Sequence, residues 1–160
     1  MRRDLIALSE NSKVWIYQAS KPIDYETAAE IKSALYNFSM NWLSHGQVVE
    51  AYANLFHHRF IVLVADESNH PGGCSIDSSV HFIKEIGSNY KLDFFNRMNF
   101  AYLDGTEIKS LDSESFRQAY QQKQINDDTL VFDNLVNTKQ QFLSNWVLPL
   151  KDSWHNRFIH

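Results

Sequence analysis

Phe60-Ile61-Val62-Leu63-Val64-Ala65 is apolar at every position. A strand with one wet face alternates, whereas a strand covered on both faces does not, so this stretch reads as a central strand ending near Asp66. The segment before it, Val48 to Phe56, does alternate, with Val49, Ala51, Ala53 and Leu55 able to face inward. The two form a hairpin around His57-His58-Arg59, with the alternating segment at the edge. Further upstream, Lys13-Val14-Trp15-Ile16-Tyr17-Gln18-Ala19 is β-branched and aromatic on both alternations, which suits a strand buried on both sides or flanked by neighbours. Lys21-Pro22 ends it.

Helical periodicity fills the gaps. Asp24 is a good N-cap, and Ala28, Ile31, Leu35, Phe38 and Trp42 recur at spacings of three and four, predicting a helix to about Leu43 with Gly46 as its left-handed stop. Ser75 reads as the N-cap of a second helix, with Asp77 in its first turn and Ile76, Val80, Ile83 and Ile86 on its inner face, ending at Gly87. After an irregular stretch, Lys91 to Arg97, the segments Asn99–Leu103 and Thr106–Leu111 form a hairpin on Asp104-Gly105. Helices are expected from about Ser113 to Ile125 and from about Asn137 to Val147, before Pro149.

From Lys13 to Leu103 the order is therefore β-α-β-β-α-β. That is the split βαβ, or ferredoxin-like, order of an α+β protein: an antiparallel sheet with helices on one face, here with a C-terminal hairpin and helices added. The 160 residues suit a single domain, 1–160, with a core at about 13–111 and a helical extension over 112–160. A chain of this length buries enough apolar surface to need no disulfide or metal staple.

Composition narrows the function classes. The net charge is −4, and the basic clusters are short: Met1-Arg2-Arg3 and His57-His58-Arg59, both read as solvated surface patches. No nucleic-acid partner is expected without a basic stripe. The single cysteine, Cys74, cannot form an intrachain disulfide, which fits a cytoplasmic protein. Asp4 to Glu10 is too short and polar for a signal-peptide core, and no apolar run suits a membrane span, so no membrane partner is expected. The seven histidines show no ligand pair at helical spacing with a carboxylate and no H-E-x-x-H, so no metal is expected; His57-His58 reads as a hairpin tip in water. Neither a G-x-x-x-x-G-K-[ST] loop nor G-x-G-x-x-G is present, and no cofactor is expected.

The split βαβ topology brings certain ends to one sheet edge. These are Trp42 to Gly46, Gln47, Asp66-Glu67, Gly72 to Ser79 and the turn Asp104-Gly105. His45, Asp66 and Cys74 converge there if the topology holds, forming a Cys-His-Asp constellation with Cys74 as nucleophile, His45 as base and Asp66 orienting it. The same edge offers an anion site of Gly73, Cys74, Ser75 and Asp77 at a helix N-terminus, with Trp42 close by. The plainer reading of Gly-Gly-Cys-Ser is a turn and a cap holding an inert thiol. Past the last helix, the apolar tail around Trp154 either packs back on the domain or docks on a partner.

Val14 to Gln18, Trp42 to Gly46, Gly73 to Val80, Asp93-Phe94-Phe95-Asn96-Arg97, Val131 to Val136 and Asp152-Ser153-Trp154, in this order, resemble a family of uncharacterised proteins of Bacteroidetes bacteria. Its members often carry the label ABC transporter ATPase. The resemblance covers nearly the whole chain and implies no catalytic residues. The label implies ATP hydrolysis, for which this chain lacks the phosphate-binding loop. The expectation is a small protein that acts by binding a protein partner, a second copy of itself or a small anionic ligand, and is not an ATPase; a cysteine-dependent enzyme or redox protein is the alternative.

Overall fold

A computed structural model describes residues 4–44, 46–66 and 76–160. Its first half contains β1 (Lys13–Gln18), α1 (Tyr25–Asn41), a short ribbon of β2 (Leu43–Ser44) and β3 (Gln47–Val48), then β4 (Glu50–Phe56), β5 (Phe60–Asp66) and α2 (Ile76–Tyr90). β5 lies between β1 and β4 and is antiparallel to both. Its alternate side chains go to opposite faces. Ile61, Leu63 and Ala65 pack with Ile31 and Leu35 of α1 and Ile83 and Ile86 of α2. Phe60, Val62 and Val64 pack on the other side with Ala101, Phe132, Phe142 and Trp146. Two covered faces account for the unbroken apolar run, and each of its Phe, Ile, Val and Leu side chains contributes about 1.5–3 kcal/mol by leaving water.

Local chemistry sets the helix ends. Asp24 caps α1 by accepting from the Thr27 amide at 2.8 Å, and Ala28, Ile31 and Leu35 form the buried stripe. α1 stops at Asn41, because Trp42 is already extended (ψ 121°). Gly46, at φ +79°, serves the β2–β3 reversal rather than the helix end. α2 runs through Gly87 to Tyr90, beyond the expected stop. Glycine is needed at 87 for another reason: a Cβ there would lie 2.6 Å from the Leu92 carbonyl oxygen, whose own amide donates to the Gly87 carbonyl at 2.9 Å.

The second half contains β6 (Asn99–Asp104), β7 (Glu107–Asp112), α3 (Ser113–Gln121), β8 (Leu130–Phe132), α4 (Lys139–Asn145) and β9 (Val147–Pro149). The protein is α+β, with antiparallel sheets and α1 and α2 on one face of the first sheet. The expected order holds for β1-β5-β4. The strand that a ferredoxin-like sheet would set beside β1 is β6, and β6 instead sits inside a second sheet of order β7-β6-β8-β9. There both its edges are paired, by the Asp104-Gly105 hairpin on one side and by β8 on the other. The second sheet covers the face of the first that the helices leave open. The C-terminal extension is thus not only helical. Its strands β8 and β9 complete that sheet, and α4 gives way to β9 after Trp146, whose carbonyl accepts from the Asp133 amide at 2.7 Å. The tail packs back, with Trp154 against Phe100 at 5.5 Å between ring centroids.

The β4–β5 turn is only partly in solvent: His57 is exposed, His58 half-buried and Arg59 buried. His57 and His58 both have left-handed backbones (φ 55° and 54°), as tight hairpin turns prefer, though non-glycine residues adopt them at a cost of about 1–3 kcal/mol. Packing offsets it. The His57 ring stands 5.9 Å from those of Phe132 and Trp146, and the Ile23 amide donates to the His58 carbonyl at 2.9 Å. Arg59 is buried and donates to Ile108 O at 3.0 Å and Ser110 Oγ at 3.2 Å, joining the two sheets. Among the described residues, no helix is long and apolar enough to cross a membrane.

Candidate functional site

His45, Gly73, Cys74 and Ser75 lie outside the described residues. Asp66 is half-buried at the end of β5, and Asp77 is exposed in the first turn of α2. Trp42 is 1 % exposed, its ring 5.9 Å from Trp15 and 5.1 Å from Phe38, and is part of the helix-side core.

The outer edge of β1 borders a recess between the two sheets. The Ala19 amide donates to Arg59 O at 2.7 Å, so Trp15 and Tyr17, in phase with Ala19, turn their backbone groups toward β5. Val14, Ile16 and Gln18 turn theirs outward. The Val14 amide is taken by Asn137 O at 3.0 Å, and past the other end the Ser20 amide is taken by Asp93 O at 2.8 Å. Between them the N–H and C=O of Ile16 have no partner among the described residues. A cavity of about 220 Å³ lies there.

Two aromatic walls bound it. On the helix side the Tyr17 ring meets Phe95 edge-on at 5.5 Å, and Lys84 Nζ lies 5.8 Å from the centre of the Phe95 ring. On the sheet side Phe100, Trp154 and His155 pack together, with His155 4.6 Å from Phe100 and 5.1 Å from Trp154. A chain of amides ties the sheets together beside it: Trp146 Nε1 donates to Asn134 Oδ1, Asn134 Nδ2 to Gln18 Oε1, and Gln18 Nε2 to Asn99 O, each at 3.0 Å. The loop carrying Phe95 is held by its own turns, with Asp93 Oδ1 accepting from the Phe95 amide at 2.8 Å and Asn96 Oδ1 from the Met98 amide at 3.0 Å.

The electrostatics favour an acceptor-rich or anionic guest. No Asp or Glu is among the described residues lining the cavity. Arg97 lines it, is exposed and pairs with no described carboxylate. Burial raises the Tyr17 phenol above its ordinary range, opposed by the Arg97 charge, so the hydroxyl stays a neutral donor. Burial pushes the His155 imidazole down to about 4, so it is neutral at ordinary pH. Ser153 Oγ donates its single proton to Leu150 O at 3.1 Å. His155 Nδ1 lies 3.1 Å from Ser153 Oγ, which ties one edge of the neutral ring to Ser153.

Tyr17, Gln18, Arg97 and Asn134 fall in stretches quoted for the family resemblance, but neither they nor His155 carried a catalytic or binding motif. The usable signal was compositional: Asn96, Asn99, Asn134 and Asn137 cluster in segments with weak periodicity, and all four line the cavity. No group of three or more potential metal ligands exists among the described residues. Comparison with protein-family models, with curated proteins and with solved structures finds no match.

Proposed function

We propose that this protein acts by binding, and that its ligand is a small molecule held in the cavity on the open edge of β1. The observation that carries the reading is the Ile16 backbone pair, unpartnered among the described residues, inside an aromatic-walled cavity. Unsatisfied backbone groups in a partly apolar recess cost free energy until something pairs with them, and preformed pockets with a few converging polar groups are where small ligands bind. Arg97, with no described carboxylate lining the cavity beside it, supports an anionic guest.

Ligand-observed and ¹⁵N-correlated NMR with a set of small ring acids and amides tests this. Binders should shift the Ile16, Tyr17 and Arg97 amides and the Trp154 indole together. Leu135→Trp, which enlarges an exposed side chain at the rim, should weaken them at least tenfold. Binders that leave these signals unmoved, or that ignore Leu135→Trp, overturn the reading.

A further inference from the structure

We infer that the guest of the β1-edge cavity is a single planar ring bearing a cyclic amide on one edge and an acid group at its rim. The inference rests on the binding reading above and names the ligand class.

Four observations converge on it. The first is extent. An added peptide strand would need a run of open backbone, but Asn137 occupies the Val14 amide and Asp93 the Ser20 amide, so only the stretch from Ile16 to Gln18 is open. Ile16 and Gln18 are the outward-facing residues within it, so the opening offers two bonding positions, enough for a small ligand and too few for a full strand. The second is shape. Tyr17 with Phe95 stands on the helix side and Phe100 with Trp154 on the sheet side, so the space between is a slot with aromatic walls. Flat rings gain most from such walls. Its volume, about 220 Å³, lies below the ~300–1,000 Å³ common for drug-sized ligands and suits one ring system.

The third is the hydrogen-bond code. Ile16 offers a donor and an acceptor side by side on the strand edge. A lactam presents the complement in its own plane, an N–H beside a C=O. The neutral His155 imidazole and the Tyr17 phenol also line the cavity and add polar groups for the remaining ring edge. The fourth is charge. Arg97 is the cationic residue lining the cavity and no described carboxylate lines it, so an acid group belongs at that rim.

Three probes separate these elements: orotate has the cyclic amide and the carboxylate, uracil lacks the acid, and benzoate lacks the amide. Titrations follow the Ile16 amide by NMR and tryptophan emission in the full chain. Orotate should bind, shift the Ile16 amide, and bind at least tenfold more tightly than uracil. Benzoate should leave the Ile16 amide in place. Arg97→Gln should weaken orotate about tenfold, a change of about 1.4 kcal/mol, and leave uracil unaffected. Arg97 is exposed, so the variant should fold, and its amide spectrum checks that directly. If neither orotate nor uracil shifts Ile16 at millimolar concentration while other small molecules fill the cavity, this inference is overturned and the binding reading stands. If nothing in the NMR set occupies the cavity, both fail.

Discussion

β1 and β5 lie side by side, pair residue for residue from Lys13↔Ala65 to Gln18↔Phe60, and are both rich in β-branched and aromatic residues. Yet they are buried differently. Phe60 to Ala65 are fully buried, while Trp15, Ile16 and Tyr17 remain half-buried. Composition does not separate them; their edges do. β5 has a strand on each side. β1 has one neighbour strand, and the segment at 137–139 crosses its other side only at the start, through Val14 N to Asn137 O and Lys139 N to Ser12 O, at 3.0 and 2.9 Å. When a covering segment stops short, a strand interior becomes a cavity wall, and its outward backbone groups are left open among the described residues.

The contrast predicts unequal costs. Leu63→Ala empties a site with apolar neighbours throughout and should destabilise by about 3–4 kcal/mol in denaturant unfolding, with the m-value unchanged. Ile16→Ala, at the cavity margin, should cost about 1–1.5 kcal/mol. Equal losses would mean that β1 is as closed as β5, and the comparison would break.

His155 adds a pH signature to the open side. Its folded pKa is about 4, depressed by burial from an ordinary 6.5, so the unfolded chain takes up this proton first. Its contribution is complete above pH 6.5, is lost as pH falls through that window to 4, and amounts to about 3 kcal/mol. Burial lowers His57 too and acts with the same sign. The slope of stability between these pH values should shrink in His155→Gln and persist in His57→Asn. A wild-type slope retained by His155→Gln would show an imidazole that is not buried as the structure has it.

Next in size is the amide chain. Asn134→Ala leaves Trp146 Nε1 and Gln18 Oε1 each without a partner, and should cost about 1–3 kcal/mol. Asn96→Ala, on the exposed rim, should stay within about 1 kcal/mol. A neutral Asn134→Ala would mean that water already serves these groups, and the cavity would then be wider than a one-ring slot.

How far the sequence was readable follows from the same contrast. β5, α1 and the hairpin on Asp104-Gly105 were legible because each is fixed by short-range patterns: a continuous apolar run, a three-four stripe behind Asp24, and an αL glycine (φ 64°). The second sheet was not. β8 is three residues long, too short to alternate visibly, and β9 sits where Trp146 and Val147 extend a helical pattern. The partner of β6 was decided by long-range competition that no local window contains. The cavity was illegible for a related reason. Its residues come from separate turns, and their identities as Asn, Arg and His become informative only once β1 has an open side. Several stretches behind the family resemblance, including Val14–Gln18 and Asp93–Arg97, do line it.

The smallest effect requires no mutation and tests the contrast within one strand. Trp15 and Tyr17 turn their amides into the ladder with β5, whereas Ile16, between them, turns its amide into the cavity. Amides bonded within a central sheet exchange only through large openings, while an unpaired one exchanges through local access. The Ile16 amide should therefore exchange at least about 100-fold faster than those of Trp15 and Tyr17 in native-state hydrogen exchange, a difference of about 2.7 kcal/mol in opening free energy at one position and none in global stability. Ligand in the cavity should slow Ile16 and leave its two neighbours as they were. Uniform protection along β1 without ligand would mean that something in the chain already covers the edge, and the site would have to be sought elsewhere.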